Sequence, residues 1–363
     1  MISIVTPVKN EGENVIELYE RIARSLTGTE YEIIFMDSST DDTSELLHHL
    51  AVKDNRVHFY RAPSLNLGEK VVLGMRLSHG KVIAVMDSDL QHPPEVLPTM
   101  LKAIDQGEEL VIPSRLMLGG AKEGLTNWRK ATSWGARKTG QLFLHSLRTV
   151  SDPTGGFFML RREVIDGVDL NPIGWKILME ILVKGRYRCV SEIPYHFQTR
   201  ERGESKFSIK EQWNYLRHVL ALLKVDRSGV RGLLFAMVGL SGIGVNMLVF
   251  GIGLYFFTSS IMASSLAFSA ATLTNFIGNN KITWGDVREG KTGSRFRKYL
   301  VSTLIGYIIN IILLYTLQTA LGRVRADLIG IGAGMIANYL LSSLWTWKSH
   351  KKIIVRSVSE VAA

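Results

Sequence analysis

Residues 81–94 read KVIAVMDSDLQHPP. The mostly apolar run over 81–86 has the length of a buried strand, and it ends abruptly in the polar triplet Asp-Ser-Asp. Two prolines then mark the start of a helix that the sequence predicts over 94–104. A buried strand that leads through polar residues into a helix is typical of a parallel sheet, where ligands bind at the carboxyl ends of the strands.

The same alternation of strand and helix continues on both sides of this stretch. Apolar runs predict strands at 2–8, 31–36, 56–61 and 110–113. Helical spacing of apolar residues predicts helices at 12–26, 43–52 and 68–78. The predicted fold class is therefore α/β, with a mostly parallel sheet and helices on both faces.

The candidate functional residues lie at the ends of the predicted strands. Asp87 and Asp89 are two apart, so in extended geometry they share a face and can reach one hard cation and a diphosphate together. Gln91 can supply a further oxygen. The alternative is a turn with a helix N-cap, in which aspartate and serine are common.

Two earlier loops offer candidate nucleotide contacts. Lys9 is a candidate partner for donor phosphate or base, and Glu11 either binds a ribose hydroxyl or favours the positive end of the next helix. Asp37 either accepts hydrogen bonds from a base or ribose, or caps the helix after it.

Basic residues follow the strand at 110–113. Arg129 and Ser133 are four apart on a predicted helix, and with Arg115 they can hold a phosphate dianion. The alternative is a basic helix lying on lipid headgroups. Both interpretations hold together if a lipid phosphate arrives at this surface.

Three further segments complete the set of candidate polar residues. Residues 152–158 form a Pro/Gly turn before an apolar strand, and its paired glycines permit close approach to a ligand. Lys176 and Glu180 are four apart and are interpreted as a surface ion pair. Arg200 and Lys206 flank Gly203 in a segment suited either to clamping a diphosphate or to forming a solvated loop.

The C-terminal part of the chain has a different composition. Mean hydropathy is only +0.11 over the 363 residues, but apolar segments long enough to cross a bilayer follow one another at 233–257, 261–282, 299–321 and 328–347. We expect a catalytic domain at 1–206, interfacial helices at 207–231, an all-α four-helix transmembrane domain at 232–349 and a basic tail at 350–363.

The net charge of +10 suits nucleic acid, an anionic membrane surface or a phosphorylated substrate. Much of the late basic charge flanks apolar segments, and no nucleic-acid-binding motif is evident, so the membrane is favoured. The positive-inside rule predicts that the catalytic domain and both termini are cytoplasmic. Trp284, Trp345 and Trp347 are expected at the membrane interface, and asparagines such as Asn279 are expected to join helices by hydrogen bonds.

In their order along the chain, these motifs resemble the family 2 glycosyltransferases of the dolichol-phosphate mannose synthase type. The similarity covers residues 1–210, roughly, and is strongest in Asp-x-Asp-Leu-x-His-x-Pro at 87–94 and Arg-x-x-Gly-Glu-Ser-Lys at 200–206. Lys9 departs from many relatives, which carry tyrosine there. The four-helix pattern resembles the GtrA-like membrane domain found with such transferases. The implied fold is a Rossmann-like GT-A catalytic domain followed by that membrane domain.

The resemblance also implies roles for individual residues. A Mg²⁺ or Mn²⁺ ion is expected on Asp87, Asp89 and Gln91. The donor nucleotide sugar is expected to be bound by these residues together with Pro7, Lys9, Glu11, Asp37, Ser88, Arg200 and Lys206. The lipid phosphate is expected to face Arg115, Arg129 and Ser133. The residues expected to be catalytic are Asp89, Arg115 and Arg200.

The implied reaction is transfer of mannose from GDP-mannose to dolichyl phosphate with inversion, giving dolichyl β-D-mannosyl phosphate. The Gln-x-x-Arg-Trp pattern of processive polysaccharide synthases is absent, which favours transfer of a single sugar. One alternative is a glucosyl- or amino-sugar transferase acting on undecaprenyl or another polyprenyl phosphate. An alternative of another class is a transporter or flippase whose cytoplasmic domain senses nucleotide sugar.

Overall fold

The computed structural model describes residues 1–117, 121–122, 127–198, 209–256, 259–287, 290–348 and 354–357. The chain forms two compact units. The first contains residues 1–226 together with the short segment at 354–357, and the second begins at Arg227. These units follow the composition change in the sequence.

The first unit alternates strands and helices as predicted. Its elements are β1 (Ile2–Val8), α1 (Gly12–Ser25), β2 (Tyr31–Asp37), α2 (Thr43–Lys53), β3 (Val57–Arg61), α3 (Leu67–Leu77), β4 (Val82–Val85), α4 (Leu97–Asp105), β5 (Leu110–Ser114), β6 (Ala121–Lys122), α5 (Asn127–Phe143), β7 (Phe158–Arg161), α6 (Ile177–Lys184), β8 (Cys189–Pro194), β9 (His196–Phe197) and α7 (Ile209–Leu222). A last strand, β10 (Ile354–Ser357), returns to this unit. The predicted strands and helices agree with these bounds to within a few residues.

Eight strands form one sheet in the order β10-β8-β5-β7-β4-β1-β2-β3. Strand β7 runs antiparallel to both of its neighbours, and the other pairs are parallel. The start of β7 therefore lies at the same edge as the carboxyl ends of β4 and β5. This orientation brings the Pro/Gly turn that precedes β7 to the edge where ligands bind.

Both faces of the sheet are covered. Successive side chains of a strand point to opposite faces, and along β2 Ile33 and Phe35 belong to one apolar cluster while Ile34 and Met36 belong to another. All four side chains are essentially inaccessible to solvent. Burial on both faces explains why the strand sequences read as continuous apolar runs rather than as an alternation.

The C-terminal segment differs from the expected basic tail. Residues Ile354–Ser357 pair in parallel with Cys189–Glu192 of β8 and form an edge of the catalytic sheet. Three of these four residues are apolar or small, with one arginine, so the segment carries a short β-pattern within its basic surroundings. A second, two-stranded sheet joins β6 to β9.

Helix α7 has two apolar faces. Tyr215, Val219 and Leu222 are buried in the catalytic core, whereas Trp213 and Leu220 are each 64 % exposed. The core-facing side is fixed by the Tyr215 hydroxyl, which donates to a backbone carbonyl of α5. The exposed side has the composition of a helix in a membrane interface, as the sequence analysis expects.

The second unit contains four long helices, α8 (Arg231–Phe256), α9 (Ser260–Gly278), α10 (Thr292–Leu321) and α11 (Arg323–Leu341). Four helices of the described chain are long and apolar enough to cross a membrane. They pack in pairs through small residues: a Cβ added at Gly334 would lie 2.4 Å from the carbonyl oxygen of Gly306. Such close backbone approach is the usual means of helix association in lipid.

The two helix pairs end alike. A π-helical turn, Asn279–Thr283 after α9 and Ser342–Thr346 after α11, leads directly into Trp284 or Trp347. The two indole rings stack with centroids 4.4 Å apart and planes inclined by 4°. Both are almost fully buried, whereas Trp345 is 42 % exposed, and the expected position of all three at the membrane interface stays a prediction. The indole nitrogen of Trp347 donates to Asn280, which is the helix-joining role expected for an asparagine.

Candidate active site

Asp87 follows β4 and is held by a buried histidine. The Nε2 atom of His92 lies 3.3 Å from Asp87 Oδ2, and Nδ1 lies 3.1 Å from the hydroxyl of Tyr195. His92 is 4 % exposed and is packed among the rings of Phe157, Tyr195 and Phe197. A buried histidine thus contacts the carboxylate of Asp87, while the Asp87 side chain itself remains 39 % exposed.

A tight turn places the next two candidate ligands. Leu90 has φ +60°, a left-handed conformation that is uncommon for leucine. This backbone lets Gln91 N donate to Asp89 Oδ1 at 3.2 Å. The side-chain nitrogen of Gln91 donates to the carbonyl of Gln198. The side-chain oxygen of Gln91 is therefore the atom that can bind a metal.

The donor set suits a hard divalent cation. Two carboxylates and one amide oxygen from Asp87, Asp89 and Gln91 are the oxygen ligands that Mg²⁺ and Mn²⁺ prefer, with water and substrate phosphate completing the shell. No group of three His, Cys, Asp or Glu side chains in the described ranges is placed to hold a metal. The expected third protein ligand is accordingly the amide oxygen of Gln91, which is not a member of that set of side chains.

The loop after β1 is tied to the loop after β2. Asn10 has φ +54°, and its backbone N–H donates to Ser39 Oγ at 2.8 Å. Glu11 N donates to Thr43 Oγ1, and the Glu11 carboxylate accepts from Asn14 Nδ2 at 2.7 Å. A cleft opens here, lined by Asn10, Glu11, Glu13, Asn14, Asp41 and Asp42. The loops after β1 and β2 thus form one rim of the sheet edge.

Pro7 and Ser88 join this rim to the Asp-Ser-Asp turn. The Ser88 hydroxyl donates to the Pro7 carbonyl at 3.1 Å, and Ser88 is buried. Both were expected to contact the donor. In the structure their polar groups satisfy each other and hold the candidate nucleotide loop against the candidate metal ligands.

Asp37 is fully buried at the end of β2. Its carboxylate accepts from Ser39 N at 2.8 Å, Ser44 Oγ at 2.7 Å and Arg61 Nη1 at 2.7 Å. Burial alone would raise the pKa of Asp37, but the hydrogen bonds from Ser39, Ser44 and Arg61 lower it below its usual value. Asp37 is thus ionised, and its hydrogen bonds hold this loop together. Its expected contact with the nucleotide stays a prediction.

Arg115 is held by the turn that precedes β7. Its Nε donates to Asp152 Oδ2 at 2.9 Å, and its guanidinium stacks over the ring of Phe197 at 4.9 Å. The Asp152–Phe157 turn that holds it also approaches the metal ligands, because a Cβ added at Gly156 would lie 2.9 Å from Asp87 Oδ2. A cation for an anionic ligand and a carboxylate for a metal therefore meet at one turn.

Glu192 of β8 fixes the beginning of that turn. Its carboxylate accepts from Ser151 N, from Ser151 Oγ at 2.7 Å and from Asp152 N at 3.3 Å. Ser151 Oγ is also 2.6 Å from Ser114 Oγ at the end of β5. Burial raises the pKa of Glu192 in this environment. The position of Arg115 is thus set by strands on both sides of β7.

Comparisons with known proteins show the family to which the chain belongs. Residues 3–168 match the profile of glycosyl transferase family 2, and residues 234–347 match the GtrA/DPMS transmembrane domain. A dolichol-phosphate mannosyltransferase from Pyrococcus furiosus is 39 % identical over 348 residues, which is 95 % of this chain and 99 % of the relative. The chain belongs to the dolichol-phosphate mannosyltransferase family of glycosyltransferases.

Two more distant relatives show how far the likeness reaches. A dolichol-phosphate mannosyltransferase from Mycosarcoma maydis is 30 % identical over 252 residues, covering 65 % of this chain and 83 % of the relative. The solved structure of mannosyl-3-phosphoglycerate synthase from Rubrobacter xylanophilus gives a TM-score of 0.47 at 16 % identity, covering 62 % of this chain and 74 % of that one. A likeness at that level carries no information on substrate.

Several predicted site residues of this mannosyltransferase family member fall outside what is described. Arg200 and Lys206 lie outside the described residues. Arg129 and Ser133 lie in α5, whose backbone is described there but whose side chains at those positions are not. The roles assigned to these four residues stay predictions.

The interpretation of Lys176 and Glu180 as an ion pair is wrong. Lys176 Nζ donates to the carbonyl of Thr154 at 2.9 Å, within the turn that carries Asp152. Glu180 is buried and instead pairs with Lys184 at 2.5 Å and with His218 at 3.2 Å. Helical spacing predicted the wrong partner because Lys176 precedes the first turn of α6 and is not on its face.

Sequence reasoning also missed His92 and Arg61. His92 stands inside the decisive stretch, and a histidine between a metal-binding motif and two prolines was the available signal. Arg61 offered no signal, because its partner Asp37 is 24 residues away in sequence and is brought beside it by the pairing of β2 with β3.

Proposed function

We propose that this chain transfers mannose from GDP-mannose to dolichyl or another polyprenyl phosphate, giving the β-linked mannosyl phospholipid with inversion. The observation that carries the proposal is the turn at Asp152–Phe157, which brings Arg115 and Asp87 to one place. A glycosyltransferase that uses a phosphate as acceptor needs a cation for that phosphate beside the carboxylates of the donor site. Both relatives reported above are dolichol-phosphate mannosyltransferases, which supports the choice of mannose and of a dolichol-phosphate acceptor.

The acceptor is already an anion, so the reaction needs no general base. An oxygen of the lipid phosphate attacks the anomeric carbon of mannose, and the bond from that carbon to the diphosphate oxygen breaks. Its electron pair leaves with GDP. Arg115 would hold the attacking phosphate in line, which is the positioning contribution to catalysis.

The leaving diphosphate is the second place where charge must be balanced. Asp87, Asp89 and Gln91 would hold Mg²⁺ or Mn²⁺, which supplies positive charge to the departing diphosphate. We assign Arg200 and Lys206 to the same diphosphate and Arg129 and Ser133 to the lipid phosphate. Pro7, Lys9, Glu11, Asp37 and Ser88 complete the donor side, the last by holding the loops together.

We place the catalytic domain on the cytoplasmic side of the membrane. Support comes from the basic residues that flank the membrane helices on that side, among them Arg231, Arg295 and Lys298. The single cysteine, Cys189, is partly exposed in the catalytic domain and gives a direct test. A membrane-impermeant maleimide should label Cys189 only after cells are opened, whereas Ser259→Cys in a Cys189→Ser background should be labelled in intact cells.

The function is tested with the full-length protein, a short polyprenyl phosphate, Mg²⁺ or Mn²⁺, and radiolabelled GDP-mannose or UDP-glucose in separate reactions. Label entering the lipid phase from GDP-mannose supports the proposal. Label from UDP-glucose alone would assign the chain to the glucosyl alternative. Absence of transfer with nucleotide still bound would favour a sensor or transporter.

A further inference from the structure

Lys176 is a cation at the sheet edge to which the reaction scheme above gives no task. It lies between Trp175 and the start of α6, and its ammonium is anchored on the Thr154 carbonyl. The Thr154 hydroxyl in turn donates to Asp152 Oδ1, while Asp152 Oδ2 accepts from Arg115. Lys176 and Arg115 are therefore attached to the same turn from two sides.

Asp87 approaches this turn as well. The 2.9 Å between a Cβ added at Gly156 and Asp87 Oδ2 leaves room only for a glycine there. Lys176, Arg115 and Asp87 thus surround residues 152–156, at the edge where β4, β5 and β7 meet. A substrate oxygen between Arg115 and the metal ligands would be within the electrostatic range of Lys176.

The ammonium of Lys176 is incompletely satisfied. It has three N–H donors, and the Thr154 carbonyl accepts one. Within the described ranges it forms no direct ion pair with a carboxylate, although Asp152, Asp87 and Glu211 lie within electrostatic range, and it lies 5.6 Å from the centroid of the Trp175 ring. A half-buried charge is retained at a cost unless an opposite charge or hydrogen-bond acceptor arrives.

The neighbouring charges indicate what should arrive. Burial and the positive charge of Arg115 lower the pKa of Lys176 to about 8. Two cations that repel each other across one turn form a site for an anion, since a bound anion replaces their repulsion by two attractions. Phosphate oxygens are the anionic oxygens in the proposed reaction.

We propose that Lys176 is a substrate-binding residue whose ammonium donates to a phosphate oxygen held between it and Arg115. This inference rests on the proposed function. Two phosphates meet at this edge, that of the lipid acceptor and the diphosphate of the donor, and both present the same chemistry to Lys176. Because Arg115, which is assigned to the acceptor phosphate, is attached to the same turn as Lys176, the acceptor phosphate is the expected partner.

The test uses the full-length protein in lipid nanodiscs and three variants. Lys176→Met removes the charge and keeps the length of the side chain, Lys176→Arg keeps the charge, and Lys102→Met on the exposed side of α4 is the matched control. Melting temperature and far-ultraviolet circular dichroism establish that each variant is folded. Steady-state kinetics with a short polyprenyl phosphate, and calorimetric titration with GDP and Mn²⁺, then separate the two phosphates.

For Lys176→Met we expect kcat/KM for the acceptor to fall by about 10- to 100-fold, the usual effect of removing one charge-assisted hydrogen bond. GDP affinity should stay within about twofold of wild type, and Lys176→Arg should recover part of the loss. Weaker GDP binding with unchanged acceptor KM would support a phosphate contact but assign it to the donor. Unchanged kinetics and GDP binding in a folded Lys176→Met would overturn the inference, and inactivity of the wild type would instead reject the proposed function.

Discussion

Oδ2 of Asp87 lies between the imidazole of His92 and the backbone of Gly156, 3.3 Å from His92 Nε2 and 2.9 Å from the position of a Cβ on Gly156. The imidazole on one side and the missing side chain of Gly156 on the other restrict the position of the first candidate metal ligand. The carboxylate is therefore oriented by its surroundings before any ligand binds. Such support of a metal ligand typically affects affinity and activity as strongly as the ligand's own chemistry.

Gly156→Ala should displace Asp87. We expect turnover to fall by about 10- to 100-fold, since a shift of about 1 Å at a reacting centre has effects of this size. Gly155→Ala is the matched control, because its Cβ would meet nothing closer than 3.6 Å. Initial rates of mannosyl transfer measure both. Equal losses in the two variants would show that the turn, and not Asp87, is what the alanine disturbs.

His92→Phe should loosen Asp87 while preserving a ring among Phe157, Tyr195 and Phe197. The expected result is an increase of about tenfold or more in the Mn²⁺ concentration needed for half-maximal activity, because the polar contact of His92 with the candidate ligand Asp87 is lost. His49→Phe on the exposed side of α2 serves as the control. An unchanged metal-activation curve for folded His92→Phe would contradict the positioning role.

The activity should decline in alkali. The pKa of Lys176 is lowered to about 8, first by burial and then by Arg115, against the opposing charges of Asp152, Asp87 and Glu211. If the charged form binds phosphate, kcat/KM for the acceptor falls as pH rises through about 8. Lys176→Arg keeps its charge, so its decline should begin at a higher pH. Identical alkaline limbs in the two proteins would assign the decline to another group.

The lowered pKa of Lys176 should raise stability with increasing pH, whereas it lowers activity. Folding disfavours protonation of Lys176, since its folded pKa is below the ordinary value of 10.5. The free energy of unfolding should therefore rise with pH between about 8 and 10.5 through this residue. Comparing the pH dependence of denaturant midpoints for wild type and Lys176→Met isolates the contribution, which the variant should lack.

Gly334→Val should weaken the α10–α11 pair. The added side chain would collide with the backbone of Gly306, and overpacking of this kind costs about 1–3 kcal/mol. Gly332→Val is the control on the same helix, because nothing lies within 4 Å of its Cβ position. Thermal unfolding in detergent should show a lower midpoint for the first variant only. A similar drop in both would point to helix propensity and not to packing.

Removal of residues 354–363 should expose the edge of β8. We expect faster hydrogen exchange at the backbone amides of Cys189–Pro194, because unpaired edge strands open easily. Removal of residues 358–363 alone keeps β10 and should leave this exchange unchanged. Equal protection in both truncations would contradict the pairing of β10 with β8.

Local pattern was sufficient for much of the fold. The apolar runs predicted β1 to β5 and the membrane helices because burial on both sheet faces, or in lipid, demands continuous apolar sequence. The antiparallel direction of β7 and the existence of the late strand β10 were not predictable, since strand order and direction are set by contacts distant in sequence. Asp87 and Asp89 could be proposed as ligands from their spacing in the sequence. The roles of Lys176 and His92 could not be proposed in this way, because they depend on partners that are distant in sequence and meet only at the sheet edge.

The pairing of β10 with β8 also imposes an order on biosynthesis. Strand β8 leaves the ribosome about 160 residues before β10, and all four membrane helices are made in between. The outer edge of β8 consequently remains unpaired until the last membrane helix and β10 have been synthesised. A nascent chain stalled at any of those helices would carry an unfinished catalytic domain, so maturation of the enzyme is coupled to completed membrane insertion.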